Sequence, residues 1–322
     1  MANLAKEYAP KAGAMSIGQY CPPLNFELAG KKFDLKMDYG ENGGKYTLNF
    51  LDEYKVEWTI KGSAPKVDEY KCLKADDFTY LVTWCVKDPA NPDAVSKENF
   101  TWVIDKEQGL ATFLRCSKGE NEYWPLLIES HFSFGIILNS GKEPTIKRHG
   151  FTDDVVGTSM TWTYGHEMAT VHVYHSSNWY RITYPRDAVR TEQGEAQNAQ
   201  LNSLLKDLPG SDEPSYYVKI KDGMYFVSLT EQNMERFVGD KVGFRSDTLC
   251  FLDNYHRLYS VGRGYGTSTF NPGAMMADGS TPDAATAETA PKEGEIFVLI
   301  GKYGKPVEVE DNFFTDPIPY LV

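Results

Sequence analysis

Aromatic and β-branched residues fall in short runs of alternating character, broken at close intervals by Gly, Pro, Asp and Asn. Many short antiparallel strands have this pattern. It predicts strands over residues 32–37, 45–51, 56–60, 69–73, 78–86, 99–104 and 110–116. A second series follows over 159–164, 169–175, 179–184, 216–220, 224–230, 241–251, 257–262 and 295–301. Helical periodicity stands out in residues 194–208, where Ala196, Leu201, Leu204, Leu205 and Leu208 would form one apolar stripe ended by Pro209 and Gly210. It reads as an insertion between strands, over 191–214, either a lid over a cavity mouth or a plain surface helix.

The strand text repeats. Asp77-Phe-Thr-Tyr-Leu-Val-Thr-Trp84 reads like Asp222-Gly-Met-Tyr-Phe-Val-Ser-Leu229, and Trp102-Val-Ile-Asp105 like Cys250-Phe-Leu-Asp253. The pattern points to a duplicated meander. Its boundary would lie in the polar stretch 139–155, between halves at 25–145 and 155–322. The Ala-, Thr- and Pro-rich stretch 271–294 reads as a mobile loop. Regular short strands and few helices favour a barrel or sandwich, and a closed barrel of this strand number can hold one small ligand. The expected fold is all-β, two tandem antiparallel barrels with one short inserted helix.

Composition narrows the partners. Charged residues sum to a net −12, so a wide basic footprint for nucleic acid is not expected. No apolar run is long enough for a membrane span, and the N-terminal text has no secretory pattern, so a cytoplasmic chain is expected. The five cysteines are scattered without a CxxC, which argues against a zinc site or disulfide framework and for small buried hydrophobes. His166, His172 and His175 are close in sequence, but His172 and His175 would face opposite sides of a strand, a poor metal set. Neither metal nor cofactor is expected. The glycines of Gly262-Arg-Gly-Tyr-Gly266 precede no helix pattern, so they read as conformational rather than dinucleotide-binding.

Reactive side chains concentrate in the second half. Period-2 counting puts Met160, Trp162 and Tyr164 on one face of a strand. His172 and Tyr174 share a face of the next, and Trp179, Arg181 and Thr183 share one of the third. Such a wall suits an aromatic or carboxylate ligand, or it packs a core with its polar tips at the rim. Glu231 ends its strand in phase with Tyr225, Val227 and Leu229. Inside the barrel it would be a carboxylate made less acidic by desolvation and able to act as an acid; beyond the sheet it would be a solvated turn residue. Val86 holds the equivalent place in the first half.

The segments YVKIKDGMYFVSLTE and TLCFLDNYHRLYSVG, with the strand order, resemble MoaF-type proteins, which have two tandem lipocalin-like (calycin) halves. The C-terminal half also resembles phenolic acid decarboxylases, another calycin family. The shared motifs are Trp162-Thr-Tyr164, Tyr180-Arg-Ile182, Arg190 and Val227-Ser-Leu-Thr-Glu231. That resemblance implies a para-hydroxycinnamic acid bound in the barrel without a cofactor, with Tyr164, Arg190 and Glu231 catalytic; on the strand-face reading, Trp162, His172, Tyr174, Arg181 and Tyr225 would line the site. Trp162 stands where the family has a tyrosine, and the insertion after Arg190 is additional. The function expected is therefore a cofactor-free lyase or isomerase, acting by decarboxylation, dehydration, isomerisation or cyclisation on a small aromatic or unsaturated acid. The alternatives are a carrier or sensor barrel without turnover, and a structural second half that forms a homodimer through exposed strands.

Overall fold

A computed structural model describes residues 19–38, 43–92, 94–119, 128–144, 146–165, 169–183, 210–231, 245–268 and 294–308. Among them every regular element is a strand, and no helix is long and apolar enough to cross a membrane. The expected helix at 194–208 lies outside the described residues, as does 271–293. Ser211–Pro214, read as the end of the insertion, instead opens a strand. Pro214 is tolerated there because pairing with the strand on the far side begins only at Ser215.

The first sheet runs β1 (Lys32–Met37), β2 (Gly44–Phe50), β3 (Lys55–Ile60), β4 (Lys66–Glu69), β5 (Lys71–Lys74), β6 (Thr79–Cys85), β7 (Glu98–Asp105), β8 (Leu110–Lys118) and β9 (Ile128–Ile137). Its order is β4-β3-β2-β1-β9-β8-β7-β6-β5. Tyr70 separates its two edge strands, so the barrel is nearly closed. The second sheet contains β10 (Gly150–Phe151), β11 (Thr158–Thr163), β12 (Ala169–Tyr174), β13 (Trp179–Thr183), β14 (Ser211–Lys221), β15 (Met224–Glu231), β16 (Arg245–Asn254), β17 (Tyr259–Ser268) and β18 (Gly294–Pro306). Pairing of β14 with β15 closes it. Two antiparallel barrels in tandem are the result.

The registers of the two barrels correspond strand for strand. Aligning Tyr80 with Tyr225, their cross-strand partners are Ile104 and Asp253. The next partners are Ala111 and Ser260, and then Gly135 and Lys302. The repeat read from sequence is therefore out by one residue in its second strand. Ile104, not Asp105, corresponds to Asp253, while Asp105 corresponds to Asn254. Those two residues do the same work: each side chain accepts the backbone N–H three residues on and starts the turn.

The barrels pack wall to wall. Leu73, Leu81, Val103, Leu114 and Cys116 of the first meet Val218, Phe226, Cys250, Leu252, Val261 and Tyr265 of the second in one apolar cluster. Hence β6 is buried at every position and β15 at nearly every one. Arg263 crosses this interface fully buried, donating to Thr101 Oγ1 (3.0 Å), the Thr248 carbonyl (2.7 Å) and Cys116 Sγ (3.1 Å). The Tyr265 hydroxyl donates to the Ser96 carbonyl, and Lys221 pairs with Asp76 and Glu107. Cys72, Cys85, Cys116 and Cys250 are buried free thiols, and Cys21 is half-buried.

Gly262 has the closest approach in this wall: a Cβ there would meet the Cys250 carbonyl oxygen at 2.2 Å. Gly262→Ala is expected to cost about 1–3 kcal/mol of stability in urea denaturation, as an overpacked site. Gly150→Ala, with open space around it, should be close to neutral by the same measurement.

The segment between the barrels is held by His149, fully buried, with Nδ1 2.9 Å from Thr112 Oγ1 and Nε2 facing Asp105 at 3.5 Å. Burial holds its pKa below the ordinary 6.5, against the pull of Asp105. Below about pH 6.5 the unfolded chain therefore binds a proton that the folded chain refuses, and stability falls as pH drops through that range. His149→Gln should flatten the dependence of stability on pH between about 6.5 and 5 by up to about 1.4 kcal/mol per pH unit.

Candidate functional site

The two barrel interiors differ in kind. The first is filled by Leu35, Leu48, Phe50, Trp58, Trp84, Phe100, Trp102, Ile104 and Phe113, among others. Trp102 and Phe113 stack there at 4.1 Å. At the corresponding places the second barrel has Trp162, His172, Tyr174, Ile182, Leu229, Leu249, Phe251, Asp253 and Gly262. The interior wall of β15–β17 has lost ring volume, while β11, β12 and β18 have gained polar groups. Lys302 stands where the first barrel has Gly135.

Asp253 and Lys302 form the centre of this interior. Both side chains are fully buried, with Lys302 Nζ 3.2 Å from Asp253 Oδ1. The ammonium also lies over two aromatic faces, 3.6 Å from the ring centroid of Phe251 and 3.9 Å from that of Trp162. Burial pulls the Lys302 pKa down to about 8, although Asp253 opposes the shift. Ser260 lies between them in register, on the strand that separates theirs. Neither carboxylate oxygen of Asp253, the Lys302 amine nor the Ser260 hydroxyl has a well-formed hydrogen bond among the described residues.

His172 faces the same interior, its ring centroid 5.1 Å from that of Tyr180 and 6.1 Å from that of Tyr174. Neither ring nitrogen meets a hydrogen-bond partner among the described residues. Burial holds its pKa well below 6.5, and the Lys302 charge adds to the effect, so the imidazole is neutral. Trp162 Nε1 donates to the Tyr174 hydroxyl at 3.2 Å. Burial raises the Tyr174 pKa well above 10, helped by Tyr255 and Asp253.

Tyr164 follows β11 in the inward phase, its hydroxyl 3.2 Å from Thr170 Oγ1. Burial raises its pKa, and the charges of Glu231 and Asp253 raise it further. Glu231 is buried at the end of β15, on the face that carries Val227 and Leu229 into the interior. It is not a solvated turn residue. Val86, in its place in the first barrel, packs on the apolar core there.

One residue expected in the site stands elsewhere. Arg181 pairs in register with Val173 and faces outward, because its neighbours Tyr180 and Ile182 take the inward positions. It grips Asp212 through Nε (3.1 Å) and Nη2 (2.7 Å), and His175 joins the same carboxylate at 3.1 Å. Burial alone would raise the Asp212 carboxyl; His175 and Arg181 outweigh it and the net shift is downward. Tyr225 is on the inward face, paired in register with Asp253, and packs its ring on Tyr255 at 5.4 Å, while its hydroxyl turns to Asp154 at the surface. Arg190 and His166 lie outside the described residues. Sequence reasoning missed Asp253 and Lys302 altogether.

Residues 11–116 match the family model of the MoaF N-terminal domain, which carries the match from before β1 into β8. With the two barrels in tandem, this agrees with a MoaF-type, tandem calycin-like architecture. No curated protein matches the chain.

If the ion pair is held for chemistry rather than stability, its removal has a specific signature. Lys302→Met alone leaves a buried carboxylate unpaired and is expected to cost about 3–5 kcal/mol. The double variant Asp253→Leu with Lys302→Met, close to the first barrel's apolar solution, should recover wild-type stability or exceed it. Chemical denaturation of the three proteins checks this.

Proposed function

We propose that the C-terminal barrel takes a small aromatic or unsaturated acid and performs acid–base chemistry on it, as a cofactor-free lyase or isomerase. One observation carries the reading. Within a shared barrel frame, the apolar residues Ile104, Leu48, Met37 and Val86 and the glycine Gly135 of the first half are exchanged in the second for Asp253, His172, Tyr164, Glu231 and Lys302. Burying ionisable groups costs stability unless they are fully paired, and perturbed titratable groups gather where chemistry is done.

The phenolic acid decarboxylase resemblance gives a concrete route. Protonating the side-chain alkene of a para-hydroxycinnamic acid bound as its phenolate yields a neutral quinone methide, so the substrate itself serves as electron sink; carbon dioxide then leaves and its electron pair restores the phenolate. Glu231 would move the proton. Tyr164, whose hydroxyl feels the Glu231 charge, would orient the phenol or carboxylate. Trp162, Tyr174 and His172 would form the walls. A proton-transfer residue of this type contributes about 10²–10⁴-fold, and positioning in a dry interior supplies the rest.

The test is a panel of hydroxycinnamic acids and related phenols, followed by ultraviolet spectra and melting shifts together. Turnover of a member that falls by about 100-fold or more in Glu231→Gln, with its melting shift retained, is the expected result. A melting shift without turnover would replace the enzyme with a carrier. Undiminished turnover in Glu231→Gln would remove Glu231 from the mechanism.

A further inference from the structure

We infer that Lys302 is an imine-forming amine, and that the C-terminal barrel captures a small aromatic or conjugated aldehyde or ketone covalently at its Nζ. The inference rests on the barrel interior as the ligand site and not on Glu231 or a phenolic acid.

The fold does not need this lysine. The corresponding place in the first barrel is Gly135, and Ile104 stands in the place of Asp253. Nor is the pair bonded as a structural ion pair would be. Apart from the faces of Trp162 and Phe251, the lysine has a single polar contact, at 3.2 Å to Asp253, and neither partner has a well-formed hydrogen bond among the described residues. The neighbouring Ser260 hydroxyl and both nitrogens of His172 are also unpartnered among them, so the polar groups facing this interior await a ligand that supplies donors and acceptors. The aromatic faces of Trp162 and Phe251 border the amine and would flank a flat, conjugated carbonyl compound. Gly262 stands where the first barrel has Phe113, so β17 contributes no ring of its own and the Phe251 ring lies against it. A lysine made less basic by burial is the usual amine for this chemistry, and Lys302 is shifted in that direction.

The step balances within the residues present. Asp253 takes one proton from the Lys302 ammonium. The freed amine adds to the carbonyl carbon, forming the C–N bond, and the C=O π pair moves to oxygen. A second proton passes from nitrogen to that oxygen, giving a carbinolamine. Asp253 then returns its proton to the hydroxyl, water leaves, and the nitrogen lone pair forms the C=N bond. The product is an iminium cation beside a carboxylate. The site therefore begins and ends with one cation on the faces of Trp162 and Phe251 and one anion on Asp253, and no oxidant or reductant is required.

The experiment treats the full-length protein with cinnamaldehyde and cyanoborohydride at pH 7 and maps the reduced adduct by peptide mass spectrometry. Against an ordinary lysine at 10.5, a group near 8 has on the order of a hundredfold more neutral amine at that pH. The adduct should therefore concentrate on Lys302, rise with a midpoint near pH 8, and vanish from that peptide in Lys302→Arg. Modification spread over exposed lysines with Lys302 untouched overturns the inference, and so does a midpoint near 10.5. Both readouts come from the wild-type protein and do not depend on a variant folding. Glu231→Gln run in parallel should keep the adduct. An adduct without turnover of any phenolic acid would overturn the phenolic reading alone, and turnover without an adduct would overturn the imine alone.

Discussion

Strands β6–β8 and β15–β17 are buried on both faces, one against their own barrel interior and one against the other barrel. This constraint organises the rest of the molecule. A one-residue slip would exchange the inner set with the interface set, so the register of both sheets is held tightly. Arg263 shows how strict the interface is. Its guanidinium is enclosed and finds its donors' partners on three strands, β7, β8 and β16, from two barrels. On the inward side the packing is equally tight, since a Cβ on Gly262 would meet the Cys250 carbonyl oxygen at 2.2 Å.

A frame fixed from outside leaves the interior free to change. The first barrel spends its interior on ring packing, with Trp58, Trp84, Phe100, Trp102 and Phe113 in mutual contact. The second has the same strands in the same register and fills the centre with a lysine, an aspartate and a neutral histidine. The first barrel thus serves as an internal control. Its apolar solution shows what the frame requires, and the difference between the two isolates what the second barrel adds.

Much of the fold was legible from alternation alone, because aromatic and β-branched positions mark strands however the barrel closes. The inward direction was less so. Period 2 groups Trp179 with Arg181 and Tyr180 with Ile182, but only the pairing of His172 with Ile182 decides which group faces in. The tyrosines and His172 were visible as a wall. Asp253 was hidden because an acidic residue before a turn reads as a turn starter, the role Asp105 plays in the first half and Asn254 in the second. Lys302 was hidden in GKYGKP, whose glycines and lysines read as a fraying strand end. Neither has a local signal; both are defined by register with strands distant in sequence.

Tyr164 joins the two parts of the interior. Its hydroxyl feels the charge of Glu231 and that of Asp253, and both push its pKa in the same direction. Asp253 in turn acts on Lys302 and Tyr174, and Lys302 acts on His172. In a low-dielectric interior such influences are weakly screened. A ligand that screens one of these charges therefore acts on the groups around it. Such coupling has no counterpart in the first barrel, where Ile104, Gly135, Leu48 and Val86 occupy the corresponding positions.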